Sequence, residues 1–161
     1  MNKKILKLLE KNARMTDEEI ACALGVSPKE VKEQIGKMET SGEIRGYKCV
    51  VDRTKTEKDT VSAIIELKVT PKVGLGFDEV AEQLSSYPQV ESVFLMSGAC
   101  DIMLVISGST FQEVSSFVAN EIAVIDSVTN TSTQFVMRHY KEFGVEMYSN
   151  DDDGRGKYSL C

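Results

Sequence analysis

The chain carries a single histidine, four cysteines with no C-x-x-C pair among them, and no long apolar run. Each scarcity excludes something. A bilayer-spanning helix needs roughly 18 to 20 consecutive apolar residues, and no such segment is present. The N-terminus lacks an apolar stretch followed by a small-residue cleavage site, so a cytoplasmic protein with no membrane partner is expected. Cys22, Cys49, Cys100 and Cys161 are widely scattered, which argues against zinc or a redox motif. They read as reduced thiols acting as small, partly buried hydrophobes. No P-loop, Ser-His-Asp set or metal-spaced cluster can be read. The lone His139 falls late in a strand pattern, where a packed or half-exposed ring is expected. No catalytic residue, metal or cofactor is expected.

Charge is present but unevenly distributed. The net value of −6 by itself disfavours nucleic acid. Residues 1–60, however, hold 13 basic and 11 acidic side chains, a net +2, against 6 and 14 in the remainder, a net −8. A mildly basic head on an acidic body is compatible with phosphate contact by the head alone.

In the head, residues 1–52, Ile5, Leu6, Leu8, Leu9 and Ala13 give a short helical apolar face. In "MTDEEIACAL", Thr16 is a good N-cap, Glu19 sits three residues on, and Met15 with Ile20 forms a hydrophobic staple. The device recurs in "VSPKEV": Ser27 caps, Pro28 takes the first helical position, Glu30 closes the box, and Val26 pairs with Val31. Gly25 can turn the chain sharply between these two helices. The later helix turns Val31, Ile35 and Met38 inward and carries Lys29, Lys32, Glu33, Gly36 and Lys37 mostly outward. "SGEIRGYKCVVD" then predicts a Gly42 stop and a β-rich hairpin from Ile44 to Asp52. Three helices and a short hairpin describe a winged helix-turn-helix.

That motif makes double-stranded DNA the expected partner. Lys29, Lys32 and Lys37 are candidates for phosphate contact, with Arg45 and Lys48 nearby on the hairpin. Gln34 is the candidate base reader. Ser27 starts the reading helix, and its partner Glu30 is explained by capping. Glu33 would repel phosphate, although a glutamate can accept from cytosine N4. The alternative for each is a plain solvated helix face. With so few cations one head should bind weakly and with strong salt dependence, which two heads on one assembly would relieve.

Residues 53–60 read as a linker and residues 61–142 as a second domain. Val61, Ala63, Ile65, Leu67 and Val69 alternate with Ser62, Ile64, Glu66, Lys68 and Thr70, the period of a strand. After Pro71 and Gly74, the spacing of Phe77, Val80, Ala81 and Leu84 predicts a helix ended by Tyr87-Pro88. "VESVFLM" and "DIMLVI" are strands joined tightly by "SGAC". Thr110 and Glu113 cap a further helix with Phe111, Val114, Phe117, Val118 and Ile122 inward, and a last strand runs through "TSTQFVMRHY". The order β-α-β-β-α-β is ferredoxin-like, so the fold class is α+β. Ile102 to Ile106 is apolar throughout, so both faces of that strand should be covered. Two helices cover one face; a second copy of the sheet would cover the other, giving a homodimer. Residues 143–161 read as a flexible C-terminal extension, with Asp151, Asp152 and Asp153 a solvated tail in preference to a cation site.

Together the halves resemble the leucine-responsive/AsnC (Lrp/AsnC) family of bacterial and archaeal transcription regulators over about residues 3–140. "ILKLLEKNARMTDEEIACALGVSPKEVKEQIGKMETSGEIRGY" looks like that family's head. "VFLMSGACDIMLVI" is similar to its Gly-x-x-Asp segment, here Gly98 and Asp101. "SVTNTSTQFVM" resembles its threonine strand, with Ser127 where glycine is usual and Thr131 and Thr133 at the threonine positions. The resemblance implies a RAM-type body, dimers that associate further, and a small effector, commonly an amino acid. By position Gly98 would allow close backbone approach, Asp101 would receive an ammonium group, and Thr131 and Thr133 would supply hydroxyls. The plainer alternatives are a hairpin glycine, an aspartate bonded to local backbone, and strand-forming threonines. Where the family usually carries arginines in the third helix, this chain has Lys32, Glu33 and Gln34. Two other functions stay open: an effector-binding oligomer without DNA specificity, and an enzyme resembling tetrapyrrole decarboxylases.

Overall fold

A computed structural model describes residues 1–56, 60–71 and 76–147. The chain divides into two compact units, Met1–Val51 and Asp52–Cys161.

The first unit is three helices, α1 (Asn2–Lys11), α2 (Asp17–Leu24) and α3 (Pro28–Ser41). Both capping boxes form. Thr16 accepts from the Glu19 N–H while the Glu19 carboxylate accepts from the Thr16 N–H, and Ser27 and Glu30 repeat the exchange. Gly25 takes φ 68° at the end of α2, where a side chain would be strained, and so aims α3 away from α2. Ile5, Leu9, Ile20, Ala21, Val31 and Met38 are buried together, ringed by Met15, Val26 and Ile35. With so small a core, each large member is worth about 1.5–3 kcal/mol and none is dispensable. Ala13 takes no part: α1 ends at Lys11, Asn12 is extended, and its side chain accepts from the Arg14 N–H at 3.0 Å. The asparagine offers the backbone a local turn in place of another helical turn.

The expected wing hairpin is not formed within the chain. Arg45 to Asp52 runs without strand pairing. Instead the exit from α3 folds back on that helix: the Ile44 N–H donates to the Met38 carbonyl, and the Tyr47 hydroxyl to Glu39 Oε1 at 2.9 Å. No two-residue turn signal follows Gly46, so nothing reverses the segment onto itself.

The second unit opens with a 3-10 turn at Arg53–Lys55 inside the expected linker, of which residues 57–59 lie outside the described residues. β1 (Val61–Val69), α4 (Asp78–Ser85), β2 (Val90–Leu95), β3 (Ile102–Gly108), α5 (Phe111–Phe117) and β4 (Val128–Phe135) follow. The sheet order is β2-β3-β1-β4 with every pairing antiparallel, the ferredoxin-like arrangement. Ala63, Ile65, Leu67 and Val69 of β1 and Ile102, Leu104 and Ile106 of β3 are buried beneath Val80, Leu84, Val114 and Phe117. The chain widens after α5 into a π-helical turn at Val118–Ile122, closed by the Ala123 N–H on the Val118 carbonyl. The extra residue per turn brings both Val118 and Ile122 into the core.

Several details depart from expectation. Phe111 is 53% exposed and rests edge-on against Phe135 at the sheet margin, because the first turn of α5 overhangs the sheet. β4 stops at Phe135, and β5 (Lys141–Glu142) pairs with β6 (Val145–Glu146) in a separate hairpin. Phe143 and Gly144 both take positive φ in its turn, as a two-residue hairpin loop requires. The expected boundary at residue 142 therefore falls inside a folded element. Cys22 and Cys49 are exposed and Cys100 is half-buried, so the first two are not the partly buried hydrophobes anticipated. Gly74, Asp151, Asp152, Asp153 and Cys161 lie outside the described residues.

Candidate DNA interface and effector site

The twin capping boxes fix where α3 begins and therefore which residues it presents. Lys29, Lys32, Glu33 and Lys37 are exposed. Lys29, Glu33, Gly36 and Lys37 recur at i, i+4, i+7 and i+8, opposite the inward Val31, Ile35 and Met38. Glu33 thus sits on the crest of the outward face. Gln34 is half-buried on its flank. Ser27 is exposed, but its hydroxyl already donates to Glu30 Oε2 at 2.8 Å. The Ser27 N–H, then its hydroxyl, hold the Glu30 carboxyl below its ordinary pKa, so that carboxylate is committed to the cap. Arg45 and Lys48 are exposed on the unpaired exit segment, with the Arg45 guanidinium folded over Gly42.

In the second unit, Gly98 lies in the turn between β2 and β3 at φ 146°, a conformation that favours glycine. A Cβ there would meet nothing within 4 Å, so its reason within the chain is backbone geometry alone. Asp101 closes the turn, its carbonyl accepting from the Met96 N–H. Its carboxylate faces its own chain: Oδ2 accepts from the Val69 N–H at 2.9 Å and Oδ1 lies 3.3 Å from Lys68 Nζ. The Val69 N–H and, behind it, the Lys68 ammonium lower its pKa against an opposing effect of burial. Asp101 thus fastens the hairpin to β1.

Thr131 is opposite Leu67 and Thr133 opposite Ile65 on the neighbouring strand. Directly opposed residues share a face, so both threonines belong to the helix-covered side. Lys68, by alternation, is on the open side, with Asn130 opposite it. Gly98 and Asp101 are brought together, therefore, while the threonines stand across the sheet from Lys68. The alternation of β1 is enough to place Lys68 on that face, whereas Asn130 follows only from the register with β4. A separate cleft of about 250 Å³ lies between α4 and the entry to β4, lined by Glu79, Gln83, Asp126 and the buried Ser127 among others. Among the described residues no group of three His, Cys, Asp or Glu could hold a metal, and no helix is long and apolar enough to cross a membrane.

A doubly capped helix-turn-helix followed by a ferredoxin-like domain defines a class, the helix-turn-helix regulators that carry a separate ligand-binding domain. Residues 1–39 match the AsnC-type helix-turn-helix domain and residues 62–145 the Lrp/AsnC ligand binding domain. The chain belongs to the Lrp/AsnC family of transcription regulators. The HTH-type transcriptional regulator YugG of Bacillus subtilis is 41% identical over 152 residues, 94% of this chain and 92% of that protein. The regulatory protein AsnC of Haemophilus influenzae is 30% identical over 139 residues, 86% and 91% of the two chains. Among solved structures, a transcriptional regulator of Neisseria meningitidis in complex with L-methionine shares the fold at TM-score 0.70 and 22% identity, over 88% of this chain and 90% of that one. AsnC of Escherichia coli does so at 0.66 and 23%, over 88% and 93%.

Proposed function

We propose that this regulator binds specific double-stranded DNA through α3 and responds to an amino acid through its second unit, as a homodimer or a higher oligomer in the cytoplasm, and that it is not an enzyme. The observation that carries this reading is the exposed, lysine-bearing α3, held in place by two capping boxes, on a chain whose remainder matches a ligand-binding domain. Lys29, Lys32 and Lys37 contact phosphates, with Arg45 and Lys48 on the flank; Glu33 and Gln34 face base edges, and Ser27 sets the entry of the helix. The effector site comprises Gly98 and Asp101 on the hairpin and Thr131 and Thr133 on β4. An amino acid is the favoured ligand class because a solved relative of the same fold carries L-methionine. The head is assigned to residues 1–52 and the body to residues from 61 through the hairpin that ends at Glu146, with the linker between them.

The test is a gel-shift on DNA from upstream of the protein's own gene, with and without each common L-amino acid. Specific retention that one amino acid alters is the expected result. A second reading, an effector-binding oligomer with little sequence preference, is favoured by the carboxylate of Glu33 on the crest of α3. Equal retention of any DNA, with a thermal shift from one amino acid, would select it.

A further inference from the structure

The open face of the four-stranded sheet carries an unexplained charge. Ser62, Ile64, Glu66 and Lys68 of β1 are only half-buried, on the side away from the helices. Beside them lie Met103 and Val105 of β3, half-buried, and Phe94 of β2, 45% exposed. Glu66 is opposite Met103 on one neighbouring strand and Ser132 on the other. Among the described residues nothing bonds or pairs with its carboxylate. Lys68, two residues on, is 44% exposed and held by Asp101.

An apolar surface placed over this face would bury Glu66 unpaired, among the most unfavourable things an interface can contain. A partner that brings a cation to Glu66 is therefore favoured over one that does not. In a two-fold interface each copy presents the same residues to the other. Within the four strands themselves Lys68 is the only basic residue. Its ammonium has three donors, and its contact with Asp101 leaves capacity for a second carboxylate.

Taking the homodimer proposed above as given, with the open sheet faces meeting, we infer that Glu66 of each copy pairs with Lys68 of the other. Asp101 is then a positioning residue, restraining Lys68 before the copies meet. The pairing occurs twice per dimer, so it selects one mode of closure and rejects apolar surfaces that offer no cation. This rests on the proposal that the open faces meet.

Sedimentation of the full chain across a concentration series tests it. The wild-type protein is expected to form dimers. Glu66→Lys and Lys68→Glu should each raise the dissociation constant at least about tenfold, the scale expected when one partner of a desolvated pair is lost. An equal mixture of these two variants should form a tight heterodimer, because each lysine again meets a glutamate. Circular dichroism checks that both variants fold. If either does not, Glu66→Gln and Lys68→Met replace them, and a double-mutant cycle on the dissociation constant should show coupling; additive losses overturn the pairing. A monomeric wild type overturns both the meeting of faces and the pairing. A wild-type dimer that Glu66→Lys leaves unchanged overturns the pairing alone. If Glu66→Lys keeps the dimer but abolishes a thermal shift produced by an amino acid, Glu66 belongs to the effector and the pairing is again overturned.

Discussion

The head is specified by short-range chemistry and the body by long-range pairing. In the head, Thr16 with Glu19 and Ser27 with Glu30 satisfy backbone groups only three residues away, and six buried residues suffice to join three helices. In the body, β1 must find β3 about 40 residues on and β4 more than 60 residues on. Among the described residues of that unit, its helices cover one side of the sheet. The head can be completed by its own chain until DNA arrives, whereas the body leaves Glu66, Met103 and Phe94 half-finished.

The largest effect should come from breaking long-range packing. Leu104, fully buried at the centre of β3, contacts strands on both sides, so Leu104→Ala should cost about 2–5 kcal/mol in denaturant unfolding. A loss under about 1 kcal/mol would show the body to be looser than its burial implies. Ser27→Ala removes a local device and should cost about 1 kcal/mol, within a range of about 0.5–2. It should also weaken DNA binding, since the start of α3 frays. Full retention of stability would contradict the role given to the cap.

The comparison sharpens at Gly36. It sits inside α3, and a Cβ there would meet nothing within 4 Å. Gly36→Ala should therefore stabilise the head by about 0.5–1 kcal/mol, read as a higher melting temperature. Asp101→Asn should have the smallest effect, and its pH dependence gives the sign. The Asp101 pKa is depressed in the folded protein, so its stabilisation is full above the ordinary carboxylate value. It is lost as pH falls through the folded value. The melting-temperature gap between wild type and Asp101→Asn should close on acidification; a gap that widens would refute the local bonding described.

What could be read in advance follows the same division. The helix starts, the Gly25 turn, the strand order and the inward faces of β1 and α4 were legible, because capping spacing and apolar period encode them directly. The end of α1 was misjudged because the apolar Ala13 continued the period, while Asn12 decided the backbone. The wing is not encoded locally: β-branched residues in "CVVD" suggest strand, but no two-residue turn signal follows Gly46 to close a hairpin. The spacing of Phe111 predicts core because it gives direction around a helix and not how far the helix end overhangs a sheet. At the candidate effector site, Gly98 and Asp101 could be found by pattern. That Asp101 spends its carboxylate on Val69 and Lys68, and that Thr131 and Thr133 share the helix side, depends on register between distant strands, which no local pattern carries.

The central claim is that α3 reads DNA through its lysine face. The most direct measurement titrates wild-type protein and Lys32→Glu against upstream DNA and a shuffled duplex of equal length, at several salt concentrations. Preference for the upstream DNA is expected, with affinity falling with salt, and for Lys32→Glu a uniform weakening with a salt slope smaller by about one. Equal affinity for both duplexes, or a Lys32→Glu variant that binds like wild type, would contradict it.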